Sequence, residues 1–135
     1  LSHRIPESRF PQIQLMMSRI NQSPHEQGAW SGEHTYAGWT EGEKPPMPQQ
    51  FILMGDMNFK LDSKEYQEMT DSEDFYDAWK SSDENRGTNV DGDSIDHCFV
   101  SKNLLPKIKR TYIDRKITAS DHWPLWMEMD TENNN

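Results

Sequence analysis

The chain has 135 residues, which is enough for one domain with a modest hydrophobic core. Its net charge of -9, from 23 acidic and 14 basic residues, disfavours broad, non-specific binding to nucleic acid. A single cysteine excludes an internal disulfide and most cysteine-based zinc sites. Only 33% of the residues are hydrophobic, in few and widely spaced runs, so we expect part of a larger sandwich and not a domain that closes on itself.

The first predicted element is an amphipathic helix over residues 7–20. Its apolar residues recur at three- or four-residue spacings, as one face of an α-helix requires: Phe10, Ile13, Met17 and Ile20. Ser8 is a candidate N-cap. Pro11 then lies in the first turn, where its missing N–H is harmless.

Residues 21–50 show no sustained periodicity and are rich in Gly, Pro, Ser and His. A connection of roughly thirty residues is too long to be idle in a compact domain. Trp30, Tyr36 and Trp39 argue against simple disorder, because disordered linkers contain few aromatic residues. We therefore interpret this long loop as a candidate lip over a substrate site.

Four apolar runs are predicted to be β-strands, at residues 51–54, 95–100, 108–113 and 124–129. The first run is continuous, as in a strand buried on both faces, and the last alternates apolar and polar residues. Asp62 or Ser63 is a candidate N-cap for a short helix that ends at about Thr70. Three segments remain: a helical or irregular stretch at 75–79, a loop at 80–93 and a frayed tail at 131–135.

Three short acidic strings stand at the ends of apolar runs. They are Gly55-Asp56-Met57-Asn58, Ile95-Asp96-His97 and Ser120-Asp121-His122-Trp123-Pro124. Carboxylates gathered at strand ends repel one another unless a cation or a basic partner lies among them. The pattern therefore favours metal-assisted chemistry on a phosphate group.

In the first string, Asp56 and Asn58 are two residues apart and so point to the same side of an extended chain. Asp56 can accept a proton from water, while Asn58 can donate to a phosphate oxygen or fix the Asp56 rotamer. For this string alone, the alternative is an Asx turn that simply leaves a strand.

In the last string, a turn before the final strand can bring Asp121 and His122 into one site. His122 can donate to a phosphoryl oxygen, and Asp96 is the candidate carboxylate behind its ring. A hydrogen-bonded structural histidine is the alternative. Ser120 has no accompanying base pattern, which disfavours a serine nucleophile.

The other candidate groups are weaker. Three histidines are expected at solvated positions: His3, His25 and His34. His97 should point to the opposite side of its strand from Asp96, and Cys98 should be a buried, inert thiol. Residues 91–93 are similar to a fragment of a calcium loop, but a polar turn is the favoured interpretation.

Taken together and in this order, the three strings resemble the C-terminal half of the endonuclease/exonuclease/phosphatase superfamily, which has the deoxyribonuclease I-like fold. Asp96 lies 40 residues after Asp56, and Asp121 lies 25 residues after Asp96, which suits that family. Residues 77–79, followed by Thr88, are similar to its connection between the first two motifs.

The resemblance implies an α/β (α+β) sandwich of two mainly antiparallel β-sheets flanked by helices. Residues 1–130 would be the C-terminal portion of one such domain, with 21–50 as a long loop, and 131–135 would be a flexible tail.

The resemblance also implies a role for each matched residue. Asp56 would orient and deprotonate the attacking water, and Asn58 would bind the scissile phosphate. His122 would bind the phosphate and stabilise its developing charge, with its tautomer fixed by Asp96. Asp121, with Asp56, would hold Mg²⁺ or Mn²⁺, hard cations that prefer oxygen ligands.

Two departures from the family pattern bear on activity and packing. The family's upstream Asn, its metal-binding Glu and the His of the preceding strand have no counterpart in this sequence. We therefore expect this segment by itself to bind metal weakly and to lack turnover. His97 stands where the family usually has Tyr.

The implied function is a metal-dependent phosphoesterase that hydrolyses a P–O bond by activated water. Its partner would be a phosphate-ester substrate: a small phosphoester, a lipid headgroup or, less favoured by the acidic charge, a nucleic acid. The alternatives are a non-catalytic binding module of the same fold and a calcium-stabilised structural domain using residues 83–93. No run approaches about 18 apolar residues, so we expect a soluble protein without a transmembrane segment. The cytoplasm is slightly favoured as its compartment, and the oligomeric state is left open.

Overall fold

The computed structural model describes residues 1–26, 47–80 and 85–131. The elements in chain order are a 3-10 helix (Pro6–Ser8), α1 (Arg9–Gln22), β1 (Ile52–Asp56), α2 (Lys64–Thr70), β2 (Tyr76–Asp77), β3 (Asp96–Val100), a second 3-10 helix (Lys102–Lys107), β4 (Ile108–Ile113) and β5 (Leu125–Met129). Most of the predicted lip and of the tail, residues 27–46 and 132–135, lies outside the described residues. None of the described helices is long and apolar enough to cross a membrane.

The strands form two antiparallel sheets, which confirms the predicted fold class. The first sheet has the order β1-β3-β2, and the second sheet pairs β4 with β5. In the first sheet Ile52 lies opposite Val100 and Asp56 opposite Asp96, so the polar end of β1 meets the polar start of β3.

Strand β3 is the centre of the molecule because its two faces belong to two different cores. Phe99 packs with α1 and α2 in one cluster, and it is completely buried. Cys98 and Val100 face the other way, toward Leu125 and Met127 of the second sheet. The period-2 alternation of a strand thus produces three layers: helices, first sheet, second sheet.

The first helix is confirmed, with Pro11 in its first turn and Ile13 completely buried. Met16, Met17 and Ile20 pack at the edge of the same core. Ser8 occupies the N-cap position, but its hydroxyl donates to the carbonyl oxygen of Ile5 (2.8 Å) and caps nothing. Its helical backbone (φ -81°, ψ -15°) explains this, since a capping side chain requires an extended residue.

The second helix follows the predicted chemistry. Ser63 is extended, and its hydroxyl accepts a hydrogen bond from the backbone N–H of Tyr66 at 3.1 Å. This satisfies one of the donors that a helix leaves free at its start.

Two sequence-based predictions about the first sheet are wrong. Residues 51–54 are not buried on both faces, because Ile52 and Met54 are each 45% exposed. They share a face with Cys98 and Val100, but the described part of the second sheet covers only the β3 side of that face. The stretch 75–79 contains strand β2, because its backbone pairs with β3.

Candidate active site

Asp96, at the start of β3, and His122, in the segment before β5, form a direct pair. The Nδ1–H of His122 donates to Oδ2 of Asp96 at 2.8 Å, and the two side chains are 30% and 18% exposed. A carboxylate only accepts, so this contact fixes the ring tautomer and leaves Nε2 to face other groups. The Asp96 hydrogen bond is also the main reason why the pKa of His122 is raised, with Asp56 and Asp121 adding to it through their charge.

Asp56 and Asn58 form a second pair, at the end of β1. The backbone N–H of Asn58 donates to Oδ1 of Asp56 (2.9 Å), and the Asn58 side-chain amide donates to Oδ2 (3.0 Å). The same amide donates to the carbonyl oxygen of Leu1 at 2.9 Å. Both oxygens of the carboxylate are therefore held in one orientation.

The Asp56–Asn58 contact arises from a turn and not from an extended strand. Asn58 adopts a positive φ of 54°, a left-handed conformation that asparagine tolerates better than most residues. Gly55 has a φ of 149°, which a side chain would strain. The Asx turn foreseen as an alternative is thus present, and it is the feature that brings the amide onto the carboxylate.

The two pairs meet because β1 and β3 are in register. Asp56 lies directly opposite Asp96 in the ladder, and such residues have Cα atoms roughly 4.5–5.5 Å apart. Four of the five predicted site residues therefore gather at one end of the first sheet.

The fifth, Asp121, lies on the turn before β5. Its side chain is exposed and accepts a hydrogen bond from the Ser120 hydroxyl at 3.2 Å. The Ser120 oxygen also accepts from the backbone N–H of His122 at 3.1 Å. Ser120 is therefore a turn residue that supports its two neighbours.

A cleft of about 360 Å³ opens beside the Asp96–His122 pair. Its lining residues are Met54, Gly55, Asp96, His97, His122, Trp123, Pro124 and Leu125. Apolar side chains dominate these walls, with Met54, Trp123, Pro124 and Leu125 among them.

The described residues offer the kind of donor atom that a cation site needs, but too few of them. Asp56 and Asp121 offer the carboxylate oxygens that hard cations prefer. Within residues 1–26, 47–80 and 85–131, however, no three His, Cys, Asp or Glu side chains come together to hold a metal. These residues therefore form at most part of a coordination shell.

His97 is part of the core and not of the site, and it points away from Asp96 as predicted. Its ring stacks on Phe59 (centroids 4.7 Å apart), and its Nε2–H donates to the Phe59 carbonyl oxygen at 2.8 Å. Nδ1 is buried without a hydrogen-bond partner among the described residues. Burial lowers the pKa of this histidine, so the ring is neutral.

The remaining candidates behave as minor groups. His3 and His25 are exposed, and His34 lies outside the described residues. Cys98 is buried, as expected. Residues 91–93 close a polar turn, in which the Asn89 side-chain oxygen accepts from the backbone N–H of Asp93 at 2.8 Å.

The sequence did not predict that residues 88–90 form part of the site. An isolated antiparallel bridge joins Asn89 to His122, and the N–H of Val90 donates to the carbonyl oxygen of Asp121 at 2.9 Å. No local sequence pattern predicts this contact. The only signal was Thr88, which the family resemblance placed in a connecting segment.

Comparison with protein-family models identifies the family of this chain. The model described as "Endonuclease/Exonuclease/phosphatase family" matches residues 18–122, which is more than half of the chain and includes all five predicted site residues. The chain belongs to this family, whose members act generally as hydrolases on phosphoesters and typically use divalent metals. No curated protein and no solved structure gives a significant match.

Proposed function

We propose that this chain supplies the phosphate-handling residues of a Mg²⁺- or Mn²⁺-dependent phosphoesterase that hydrolyses a P–O bond with activated water. The observation that carries the proposal is the pairing of Asp56 with Asp96 across the ladder, which brings the Asp56–Asn58 pair next to the Asp96–His122 pair. In this arrangement Asp56 can orient the attacking water, while Asn58 and His122 can contact the phosphate.

Asp56 is the proposed base for the attacking water. Its carboxylate is exposed and is held by two hydrogen bonds from Asn58, so its orientation is set before substrate arrives. A carboxylate has about four lone-pair positions, so two remain for water or a cation. Asn58 is the proposed donor to the scissile phosphate, and it would exchange its contact with the Leu1 carbonyl oxygen for that role because its other amide hydrogen is held by Asp56.

His122 is the proposed electrostatic group. With Nδ1 engaged by Asp96, the Nε2–H of an imidazolium can donate to a phosphoryl oxygen as negative charge develops there. The raised pKa keeps the imidazolium present over a wider pH range than an isolated histidine would allow. Asp96 thus acts through His122.

Asp121 and Asp56 are the proposed carboxylate ligands from this chain. A bound Mg²⁺ would supply positive charge to the phosphoryl group and to the leaving oxygen. The third carboxylate of the site, Asp96, is engaged by His122, and no three such ligands come together among the described residues, so the remaining ligands would lie elsewhere in the protein.

The test is hydrolysis of bis(4-nitrophenyl) phosphate by the full-length protein with Mg²⁺. Replacing His122 with Gln should lower kcat/KM by about 10²–10³-fold, as is typical when such a group is lost. The matched control is His25→Gln, which changes an exposed histidine in the turn after α1 and should leave the rate unchanged. Equal rates for wild type and His122→Gln would refute the role of His122, and rates no higher than the uncatalysed background in both would indicate a non-catalytic binding module.

A substrate panel tests the finer class. The net charge of -9 repels a duplex, so we expect a small phosphoester or a lipid headgroup to be cleaved faster than duplex DNA. Faster cleavage of the duplex at physiological salt would contradict this preference.

We also propose that the chain is the C-terminal portion of one such domain. The supporting observation is the apolar face of β1, where Ile52 and Met54 are each 45% exposed between the layers. In the full-length protein, Met54→Ser should therefore cost about 2–5 kcal/mol of unfolding free energy, the cost of a buried site. A change within about 0.5 kcal/mol, like that expected for the control Leu15→Ser at a 62% exposed position, would contradict it.

A further inference from the structure

The segment 88–90 contacts the backbone at both members of the Asp96–His122 pair. On one side its backbone runs antiparallel to residues 121–123, where the N–H of Trp123 donates to the carbonyl oxygen of Thr88 at 2.7 Å. On the other side it lies against the start of β3. The segment therefore links the backbone at Asp96 to the backbone beside His122.

The contact with β3 is made by one side chain. The Thr88 hydroxyl oxygen accepts hydrogen bonds from the backbone N–H groups of Ile95 (3.2 Å) and Asp96 (3.1 Å). The hydroxyl proton is donated to the carbonyl oxygen of Asp93 at 3.3 Å. A hydroxyl has one donor and two acceptor positions, so all three are used, and Thr88 is 1% exposed.

This hydroxyl accepts a hydrogen bond at a point where β3 has no neighbouring strand on the β2 side. Strand β2 pairs only with the far end of β3, and its last contact is the Ala78 N–H donating to the Cys98 carbonyl oxygen at 2.9 Å. At Asp96 the ladder on that side has already ended. Thr88 supplies the acceptor that a neighbouring strand would otherwise provide to the partly buried N–H of Asp96.

The approach of Thr88 depends on a close backbone contact beside it. A Cβ atom on Gly87 would lie 2.6 Å from the carbonyl oxygen of Gly92. Only glycine lets the two sides of this loop approach so closely. The loop geometry and the threonine therefore act together.

We propose that Thr88 is a positioning residue for the Asp96–His122 pair. Its hydroxyl fixes the backbone of Asp96, and its carbonyl oxygen fixes the backbone that follows His122. For catalysis this inference rests on the proposed phosphoesterase function, but the positioning itself does not. Loss of the hydroxyl leaves two partly buried N–H groups without this acceptor, so the start of β3 shifts and the pair separates.

The test compares three variants of the full-length protein. Thr88→Val removes the hydroxyl at constant shape, and Thr88→Ser retains it. Thr111→Val is the matched control, because Thr111 is also buried (2% exposed) and its hydroxyl accepts a backbone N–H, from Lys80 at 2.7 Å, outside the site. Thermal unfolding of all three separates loss of stability from loss of positioning.

Two readouts are measured for each variant. With bis(4-nitrophenyl) phosphate and Mg²⁺, Thr88→Val should lower kcat about 10- to 100-fold with little change in KM, because a small misplacement of reacting groups has an effect of this size. Thr88→Ser and Thr111→Val should stay within about threefold of wild type. In proton NMR, the downfield Nδ1–H signal of His122 should be lost from Thr88→Val and kept in the other two.

The outcomes distinguish the two proposals. A wild-type protein without phosphoesterase activity refutes the proposed function, while the NMR signal still tests the positioning. A normal His122 signal and normal kcat in Thr88→Val, or equal losses in Thr111→Val, overturn the inference. If Thr88→Val does not fold, amide exchange in the wild type decides: protected Asp96 and Trp123 amides support the inference, and exchange at the rate of an unstructured peptide overturns it.

Discussion

Replacement of Asp96 with Asn tests the charge in the candidate site at nearly constant shape. In the native protein the carboxylate accepts a hydrogen bond from His122 at 2.8 Å. Asparagine can still accept through its side-chain oxygen, so the change removes the charge and keeps a neutral contact. The expected effect therefore comes from the difference between a charged and a neutral hydrogen bond.

The magnitude follows from the kind of hydrogen bond and its exposure. A hydrogen bond to a charged group contributes about 1.5–3 kcal/mol, and a neutral one about 0.5–1.5 kcal/mol. The two side chains are 30% and 18% exposed, so solvent weakens the contact and we expect a loss of about 1–2 kcal/mol. This corresponds to a fall in kcat/KM of roughly 5- to 30-fold.

The assay is a pH–rate profile with bis(4-nitrophenyl) phosphate and Mg²⁺. Asp96 raises the pKa of His122, so the active imidazolium exists below this raised pKa and is lost as the pH rises through it. Without the carboxylate the pKa falls, and the alkaline decline in rate should begin at a lower pH. Asp71→Asn, an exposed carboxylate after α2, is the control. An unmoved alkaline limb together with an unchanged kcat/KM would refute the reasoning.

Three further predictions concern the core. Burial lowers the pKa of His97, so the unfolded chain binds a proton more readily at this group, and the contribution of His97 to the free energy of unfolding should fall as the pH drops from about 7.5 to 5.5. Over the same pH range, the free energy of unfolding measured in urea should fall less, relative to its value at the higher pH, in His97→Phe than in wild type. Equal changes in the two proteins would contradict this. Burial raises the pKa of the Cys98 thiol to about 12, so a disulfide reagent should label it in denaturant but not in the folded protein. Rapid labelling of the folded protein would show that the thiol is not buried. Phe99 is completely buried, so Phe99→Ala should cost about 3–5 kcal/mol, while Trp126→Ala, at a 48% exposed position, should cost far less; similar costs would place Phe99 outside the core.

Where a pattern is local, the sequence predicted the structure closely. The predicted strand at 108–113 matches β4 residue for residue, and the strands at 95–100 and 124–129 differ from β3 and β5 by one residue at their start. Ser63 was one of two predicted caps, and it caps α2. These features depend on alternation or on a side chain within a few residues, which the chain order fixes directly.

The chemistry of the site was readable for a related reason. Carboxylates at strand ends are informative because their repulsion must be offset, and the three acidic strings carried that information in their order and spacing. The family match over residues 18–122 is consistent with this interpretation.

The tertiary structure alone decided how these residues meet. Asp56 faces Asp96 because of ladder register, and Asn58 reaches Asp56 through a left-handed turn where an extended strand was expected. The exposure of Met54 depends on which strands cover β1, and the role of Thr88 depends on where β2 ends. Each involves partners distant in the chain, and whether a backbone N–H or an apolar face finds its partner is settled only when the layers pack.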